Sequence, residues 1–185
     1  MAGQLETRYG KVFDAIDTDS NGTVEWADYQ RLVERVTKAY SLEADNDKVT
    51  QLEQAYQGFW TQLQHHGGGG DRMTKEQFVK ALGEAVGSPA FTDMAVSGIA
   101  GALFHIANTD GNDQLGEDEL KRLVLAVTNR DSYTGSTTLG AALREGKGAS
   151  GVVDSRAVAV SAGRFLKSQQ VPEITVGGLI LGVYK

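Results

Sequence analysis

Apolar positions recur along this chain at intervals of three and four, the spacing of a helix with one buried face. Leu5, Tyr9, Val12, Phe13 and Ile16 form the first stripe, and Tyr29, Leu32, Val33 and Val36 the second. Tyr56, Phe59, Trp60 and Leu63 follow, then Phe78, Leu82 and Val86. The second half repeats the alternation. Phe104 and Ala107 close one helix, Leu120, Leu123, Val124 and Val127 line the next, and Leu139 with Leu143 precede Val153, Val158 and Phe165.

Polar breaks divide these stripes. Ser41–Asp47 carries helix-capping residues, and Asn129–Ser136 is a connector containing Gly and Ser. Between them lies Gly87-Ser88-Pro89: Gly87 can end a helix, Ser88 can cap the next, and Pro89 suits its first turn. Each half thus reads helix, loop, helix, connector, helix, loop, helix. The fold expected is all-α, with eight helices in four helix-loop-helix units and two lobes, 1–87 and 88–185.

Charge changes the picture. The net charge is −6 and the hydrophobic content 41%, values that fit an ordinary globular chain and speak against a basic nucleic-acid-binding face. Residues 17–28 and 108–119, however, hold nine acidic and no basic residues, and outside them the balance is positive. Acidity packed into two short loops marks sites rather than a solvated surface. With no cysteine, disulfides and thiolate metal sites are excluded. The opening Met1-Ala2-Gly3-Gln4-Leu5-Glu6 lacks a secretory pattern, so a cytoplasmic setting is expected. Pro89–Ala107 is the most apolar stretch, but Asp93, His105 and its Gly and Ser residues favour a buried helix over a membrane span.

The first acidic loop is Asp17-Thr18-Asp19-Ser20-Asn21-Gly22-Thr23-Val24-Glu25-Trp26-Ala27-Asp28. A hard dication takes six to eight oxygens at ~2.3–2.6 Å, and a loop of about twelve residues can wrap them around it. Asp17, Asp19 and Asn21 set side-chain oxygens at alternate positions, Gly22 permits the sharp turn, Thr23 offers its carbonyl, and Glu25 a direct or water-mediated contact. This is the D-x-[DN]-x-[DN]-G pattern of an EF-hand calcium loop. It departs at the twelfth position, where Asp28 replaces Glu. One methylene shorter, Asp28 favours a single oxygen contact and six-coordination, which makes Mg²⁺ a competitor. The plain alternative is an acidic turn with no metal.

In the second acidic loop, Asn108-Thr109-Asp110-Gly111-Asn112-Asp113-Gln114-Leu115-Gly116-Glu117-Asp118-Glu119, Asn108 stands first and Asp113 takes the turn position. Asp tolerates the left-handed backbone better than most residues. Asp110 and Asn112 keep their roles, Gln114 offers a carbonyl, Gly116 leaves room for water, and Glu119 is the bidentate ligand.

Two further loops have lost this chemistry. From the last core residue of the entering helix to the apolar pairing position is eight residues in both acidic loops (Ile16 to Val24, Ala107 to Leu115) but ten from Leu63 to Met73 and from Leu143 to Val153. Gln64-His65-His66-Gly67-Gly68-Gly69-Gly70-Asp71 has one carboxylate, with Gln77 at the twelfth place, and Gly146–Val153 has none and carries Lys147. These units read as structural partners, joined to the acidic loops by short two-stranded contacts that set Val24 opposite Met73 and Leu115 opposite Val153. His65 and His66 lack third and fourth ligands and read as a solvated loop; His105 reads as a core histidine.

With four units in the order binding, lost, binding, lost, the chain resembles the sarcoplasmic calcium-binding protein family of the EF-hand superfamily, and its prokaryotic, calerythrin-like members in particular. Phe13-Asp14-Ala15-Ile16-Asp17, Phe59-Trp60, Met73–Phe78, Arg164–Ser168, Pro172-Glu173 and the Gly-Leu-Ile-Leu-Gly tail carry that resemblance. It implies lobes packed face to face and a role as a calcium buffer or modulator of signalling. A sensor that opens a Met-rich groove onto a protein target is the alternative, but the chain has three Met. Its apolar tail, Val171–Tyr184, can itself lie in a groove. A small-ligand carrier is a third reading, which a large apolar cavity between the lobes would favour. No nucleophile elbow or phosphate loop is present, so no enzyme activity is expected, and the chain is expected to be a monomer.

Overall fold

The computed structural model describes residues 2–130, 136–147, 152–172 and 175–183. The helices follow the apolar stripes. In the first half they are α1 (Ala2–Ile16), α2 (Trp26–Ala39), α3 (Asp47–Gly67) and α4 (Lys75–Ala85). The second half holds α5 (Ser97–Ala107), α6 (Glu117–Thr128), α7 (Ser136–Gly146), α8 (Ser155–Lys167) and a short α9 (Val176–Ile180). Tyr9, Val12, Phe13 and Ile16 of α1 are buried, as are Tyr29, Leu32, Val33 and Val36 of α2, and the later stripes behave alike except at Leu143, which is partly buried.

Capping explains the boundaries. The Asn46 side chain accepts from the Lys48 amide at the start of α3, and Asp154 from the Ala157 amide at the start of α8. Gly68 (φ 91°) closes α3 and Asn129 (φ 55°) closes α6 in the left-handed conformation. α3 therefore runs through His65 and His66, which sit on its last turn and not in a solvated loop. The extra length of this unit lies in the helix itself. A Cβ on Gly67 would stand 2.7 Å from Met73 Cε, so the glycine lets the helix end close over the loop's apolar residue.

Pro89–Ala107 is a buried helix, as its composition predicts, but its first part, Phe91–Val96, is wound as a π-helix before α5. Phe91, Val96, Ile99, Leu103 and Ile106 point inward, whereas Asp93, Met94 and His105 face out. His105 is thus an exposed residue and not a core histidine. Among the described residues no helix is long and apolar enough to cross a membrane.

Loops pair within each half. β1 (Thr23–Glu25) and β2 (Arg72–Thr74) are antiparallel, with Val24 opposite Met73. In the second half the Leu115 amide donates to the Val153 carbonyl at 2.8 Å. Both contacts fall in the expected register, and all four apolar residues are buried.

A single apolar core runs through both halves. Polar ties reinforce it: Arg8 Nη1 donates to the Phe165 and Ser168 carbonyls at 2.6 Å each, Tyr9 Oη to the Leu166 carbonyl at 2.9 Å, and Arg122 Nη2 to the Ala39 carbonyl at 2.9 Å. The C-terminal tail supplies a ninth helix where eight were expected. α9 packs against α5, α6, α7 and α8, burying Val176, Leu179 and Ile180. Tyr184 and Glu173 lie outside the described residues.

Candidate metal centre

The first acidic loop is shaped by its own hydrogen bonds. α1 ends at Ile16, and the Asp17 amide still donates to the Phe13 carbonyl. From there Asp17 Oδ1 accepts from the Asn21 amide (3.1 Å) and Oδ2 from the Gly22 amide (3.0 Å). Asp19 Oδ1 accepts from Asn21 N at 3.2 Å, and Asn21 Oδ1 from the amide (2.9 Å) and hydroxyl (2.7 Å) of Thr23. Two residues adopt the left-handed conformation this winding requires, Ser20 (φ 57°) and Gly22 (φ 82°).

Asp28 closes the loop from the first turn of α2 and is fully buried. Its Oδ2 accepts from the Glu25 amide (3.0 Å), while Oδ1 accepts from the Thr18 amide (3.0 Å) and hydroxyl (2.9 Å). Arg31, one turn further on, donates from Nη2 to Asp28 Oδ1 and Asp19 Oδ2 at 2.8 Å each, and from Nε to Thr18 Oγ1 at 2.6 Å. Burial pushes the Asp28 carboxyl up, but the bonds from Arg31, the Glu25 amide and Thr18 outweigh it and hold the group below the ordinary carboxylate range.

One oxygen from each of Asp17, Asp19 and Asp28 lies within 4.8 Å of the other two, the spacing of a shared cation. Glu25 does not join them. Its Oε2 is held by Arg72 Nε (3.1 Å) and Nη2 (2.9 Å) on β2.

The third loop repeats the design with different residues. Gly111 (φ 69°) and Asp113 (φ 60°) are left-handed at the places Ser20 and Gly22 hold in the first loop. Asp110 Oδ1 accepts from the Asn112 amide (3.0 Å), Asp110 Oδ2 from Asn112 Nδ2 (2.7 Å), and Asn112 Oδ1 from the Gln114 amide (3.0 Å). Glu119 Oε1 accepts from the Thr109 amide (2.7 Å) and Oε2 from the Gly116 amide (3.2 Å). Here too burial raises the carboxyl, and the amides of Gly116, Thr109 and Asp110 with the Thr109 hydroxyl bring it below its usual range. Asn108 Oδ1 is buried and, among the described residues, has no hydrogen-bond partner. A buried carbonyl oxygen without a donor is costly unless a cation meets it, so this residue fits a metal ligand.

The other two loops fit less well. At the twelfth place of the second loop, Gln77 Oε1 accepts from the Thr74 amide at 2.9 Å and its own amide donates to Thr74 Oγ1 at 3.4 Å, a neutral capping box. In the fourth loop Lys147 is exposed, and residues 148–151, central to the prediction of a lost site, lie outside the described residues.

Two participants escaped the sequence reading, Arg31 and Arg72. Each had a signal. Arg31 follows Asp28 by one helical turn, where side chains meet, and Arg72 stands directly across the strand pair from Glu25.

No family model matches the chain. It is similar to calerythrin of Saccharopolyspora erythraea, 25% identical over 125 residues that cover 65% of this chain and 70% of that protein. Among solved structures, a Streptomyces coelicolor calcium-binding protein described in terms of prokaryotic calcium-mediated regulation superposes with a TM-score of 0.71 at 21% identity. That match covers 88% of this chain and 97% of the other. Mitrocomin, a Ca²⁺-regulated photoprotein from the jellyfish Mitrocoma cellularia, superposes with a TM-score of 0.75 at 15% identity, over 98% of this chain and 90% of its own. The likeness to calerythrin and the EF-hand fold expected from the residues are both borne out.

Proposed function

We propose that this chain binds two calcium ions, one in the first loop and one in the third, and acts as a cytoplasmic buffer or modulator of calcium signals rather than as an enzyme. The observation that carries the reading is the repeated clasp at the twelfth position. Asp28 and Glu119 differ in length, yet each accepts from the amide three residues before it and from the amide of the loop's second residue. Around that clasp, Asp17, Asp19, Asn21 and the Thr23 carbonyl would hold the first ion, and Asn108, Asp110, Asn112, the Gln114 carbonyl and Glu119 the second. Glu25, engaged with Arg72, would act through water or after release. Asp28 is one methylene shorter than Glu119, which supports a single contact to the ion and a role for Mg²⁺ as competitor. The pairing of each acidic loop with a neutral one supports a division into an N-terminal pair, 1–87, and a C-terminal pair, 88–185.

A buffer or modulator is favoured over a wide-opening sensor by the tail. α9 packs against α5, α6, α7 and α8, and its buried Val176, Leu179 and Ile180 would have to leave before a target helix could take that apolar face. A protein target would then meet the outer faces. The carrier reading is not favoured by the apolar space lined by Val12, Ile16, Phe59, Ile99 and Ile180 among others, which measures about 20 Å³, far below a chromophore. A larger space of about 350 Å³ between α1 and the Phe165–Pro172 stretch is lined in good part by polar residues such as Gln4, Arg8, Lys11 and Gln169.

Calorimetric titration of Asp17→Ala and Glu119→Ala tests the assignment. Each variant is expected to lose one of two calcium sites and keep the other. Retention of both sites by either variant would refute the ligand set for that loop.

A further inference from the structure

The two acidic loops carry an arginine at the same place, three residues beyond the twelfth position, and use it in opposite ways. Arg122 turns away from its loop: Nη2 donates to the Ala39 carbonyl at 2.9 Å and the guanidinium lies 4.3 Å over the Tyr40 ring. Arg31 turns inward, with Nη2 at 2.8 Å from both Asp19 Oδ2 and Asp28 Oδ1, and Nε at 2.6 Å from Thr18 Oγ1. We propose that Arg31 is a built-in competitor of the metal, a tethered cation that occupies the Asp19 and Asp28 oxygens and sets a lower affinity for the first loop than its carboxylates alone would give. This rests on the calcium reading of that loop.

Oxygen by oxygen, the competition is direct. Asp19 gives one oxygen to the Asn21 amide and the other to Arg31, and Asp28 gives one to the Glu25 amide and the other to Thr18 and Arg31. The amide bonds belong to the wound backbone and cannot be released without unwinding the loop. The guanidinium sits on a flexible stem with a side chain 37% exposed, so it is the partner that yields. A dication and the guanidinium cannot share these oxygens without close like-charge contact. Binding therefore requires Arg31 to swing out, and the work of breaking its bonds is subtracted from the affinity. Arg122 imposes no such toll on the third loop. The loop with more carboxylates is thereby brought toward the affinity of the loop with fewer.

The test uses the full chain with Glu119→Ala, so that calorimetry reads the first loop alone, and compares Arg31 with Arg31→Gln and Arg31→Lys. Arg31→Gln should bind calcium about tenfold more tightly, because the charge-assisted bonds of the guanidinium to Asp19 and Asp28 no longer have to be broken on binding. Arg31→Lys, which keeps the charge, should recover most of the penalty, and raising the salt should narrow the gap. In the otherwise unchanged chain, the Arg31 Nε–H resonance should move as the first loop fills with calcium, and Arg122→Gln should leave the third loop's affinity within about twofold. Equal or weaker binding by Arg31→Gln, or an Arg31 resonance that ignores calcium, would overturn the proposal and leave the calcium reading intact. Absence of any binding in Glu119→Ala that Asp17→Ala would remove defeats the calcium reading itself, and the Arg31 proposal with it.

Discussion

Gly177 is the point where the tail meets the rest of the molecule, and Gly177→Ala should undock it. A Cβ there would fall 2.5 Å from Ala162 Cα, Ala162 N and Ser161 C, all backbone atoms of α8 that cannot rotate aside. Restoring a contact of ~3.5 Å moves α9 by about 1 Å. That displacement strains the Gly177 amide bond to Ser161 Oγ, now 3.0 Å, and with it the Glu145 carboxylate that accepts from Ser161 Oγ (3.0 Å) and the Val176 amide (3.3 Å). Overpacking costs about 1–3 kcal/mol and one lost hydrogen bond about 1 kcal/mol, so ~2–4 kcal/mol in all. For a chain of this size that lowers Tm by roughly 4–16 °C. Thermal melts followed by far-UV circular dichroism in chelator measure it, and a hydrophobic dye reports the apolar groove beneath α9. The matched control is Gly163→Ala in α8, where nothing lies within 4 Å of the new Cβ. That substitution should stabilise by about 1 kcal/mol through helix propensity. A Gly177→Ala protein that melts within about 2 °C of the parent and binds no more dye would refute the tight α8–α9 approach.

Asn108→Asp should split apo from loaded stability. The new carboxylate replaces a buried oxygen without a donor and lies near Asp110 and Glu119, so Tm should fall in chelator, while calcium affinity at the third loop rises about tenfold and Tm in excess calcium exceeds the parent's. A lower Tm in both conditions would remove Asn108 from the ligand set. Tyr29→Phe addresses alkaline stability. Burial, reinforced by Tyr56 and Asp28, holds the Tyr29 phenol well above its ordinary range, and its hydroxyl has no partner among the described residues. The unfolded phenol ionises near pH 10 and the folded one later, so its contribution is fully present below about pH 10 and is lost as pH rises toward the folded value. Tyr29→Phe should match or exceed the parent by about 1 kcal/mol at neutral pH and lose less stability above pH 10, in denaturant titrations at each pH. A larger alkaline loss in the variant would contradict the assignment.

The eight long helices and the loop register were legible because each depends on apolar spacing, whereas the short helix in the apolar tail was not. The eight-residue interval from Ile16 to Val24 and from Ala107 to Leu115 places one apolar residue on the pairing contact, and this holds whatever the loop binds. What escaped were polar choices between equivalent positions. Arg31 and Arg122 occupy the same place in the repeat, and spacing alone cannot say that one turns toward carboxylates and the other toward the Tyr40 ring. The exposure of His105 was missed for a similar reason: its helix is apolar nearly all round, so its narrow polar edge leaves little periodic signal.

The likeness between the acidic loops and the second loop has its own physical cause. At the twelfth position Asp28, Gln77 and Glu119 all accept from the amide three residues earlier, at 3.0, 2.9 and 3.2 Å. That bond caps the exiting helix and satisfies an amide the helix leaves orphaned, so selection for helix stability alone keeps an acceptor there. Gln77, at a place where the acidic loops carry Asp28 and Glu119, therefore leaves the shape in place without the charge. It follows that the exiting helix and its cap identify a unit of the repeat, whereas the charge at the first, third and twelfth positions decides whether that unit can hold a cation. The first loop retains all three carboxylates, the third two, and the second none at the twelfth place.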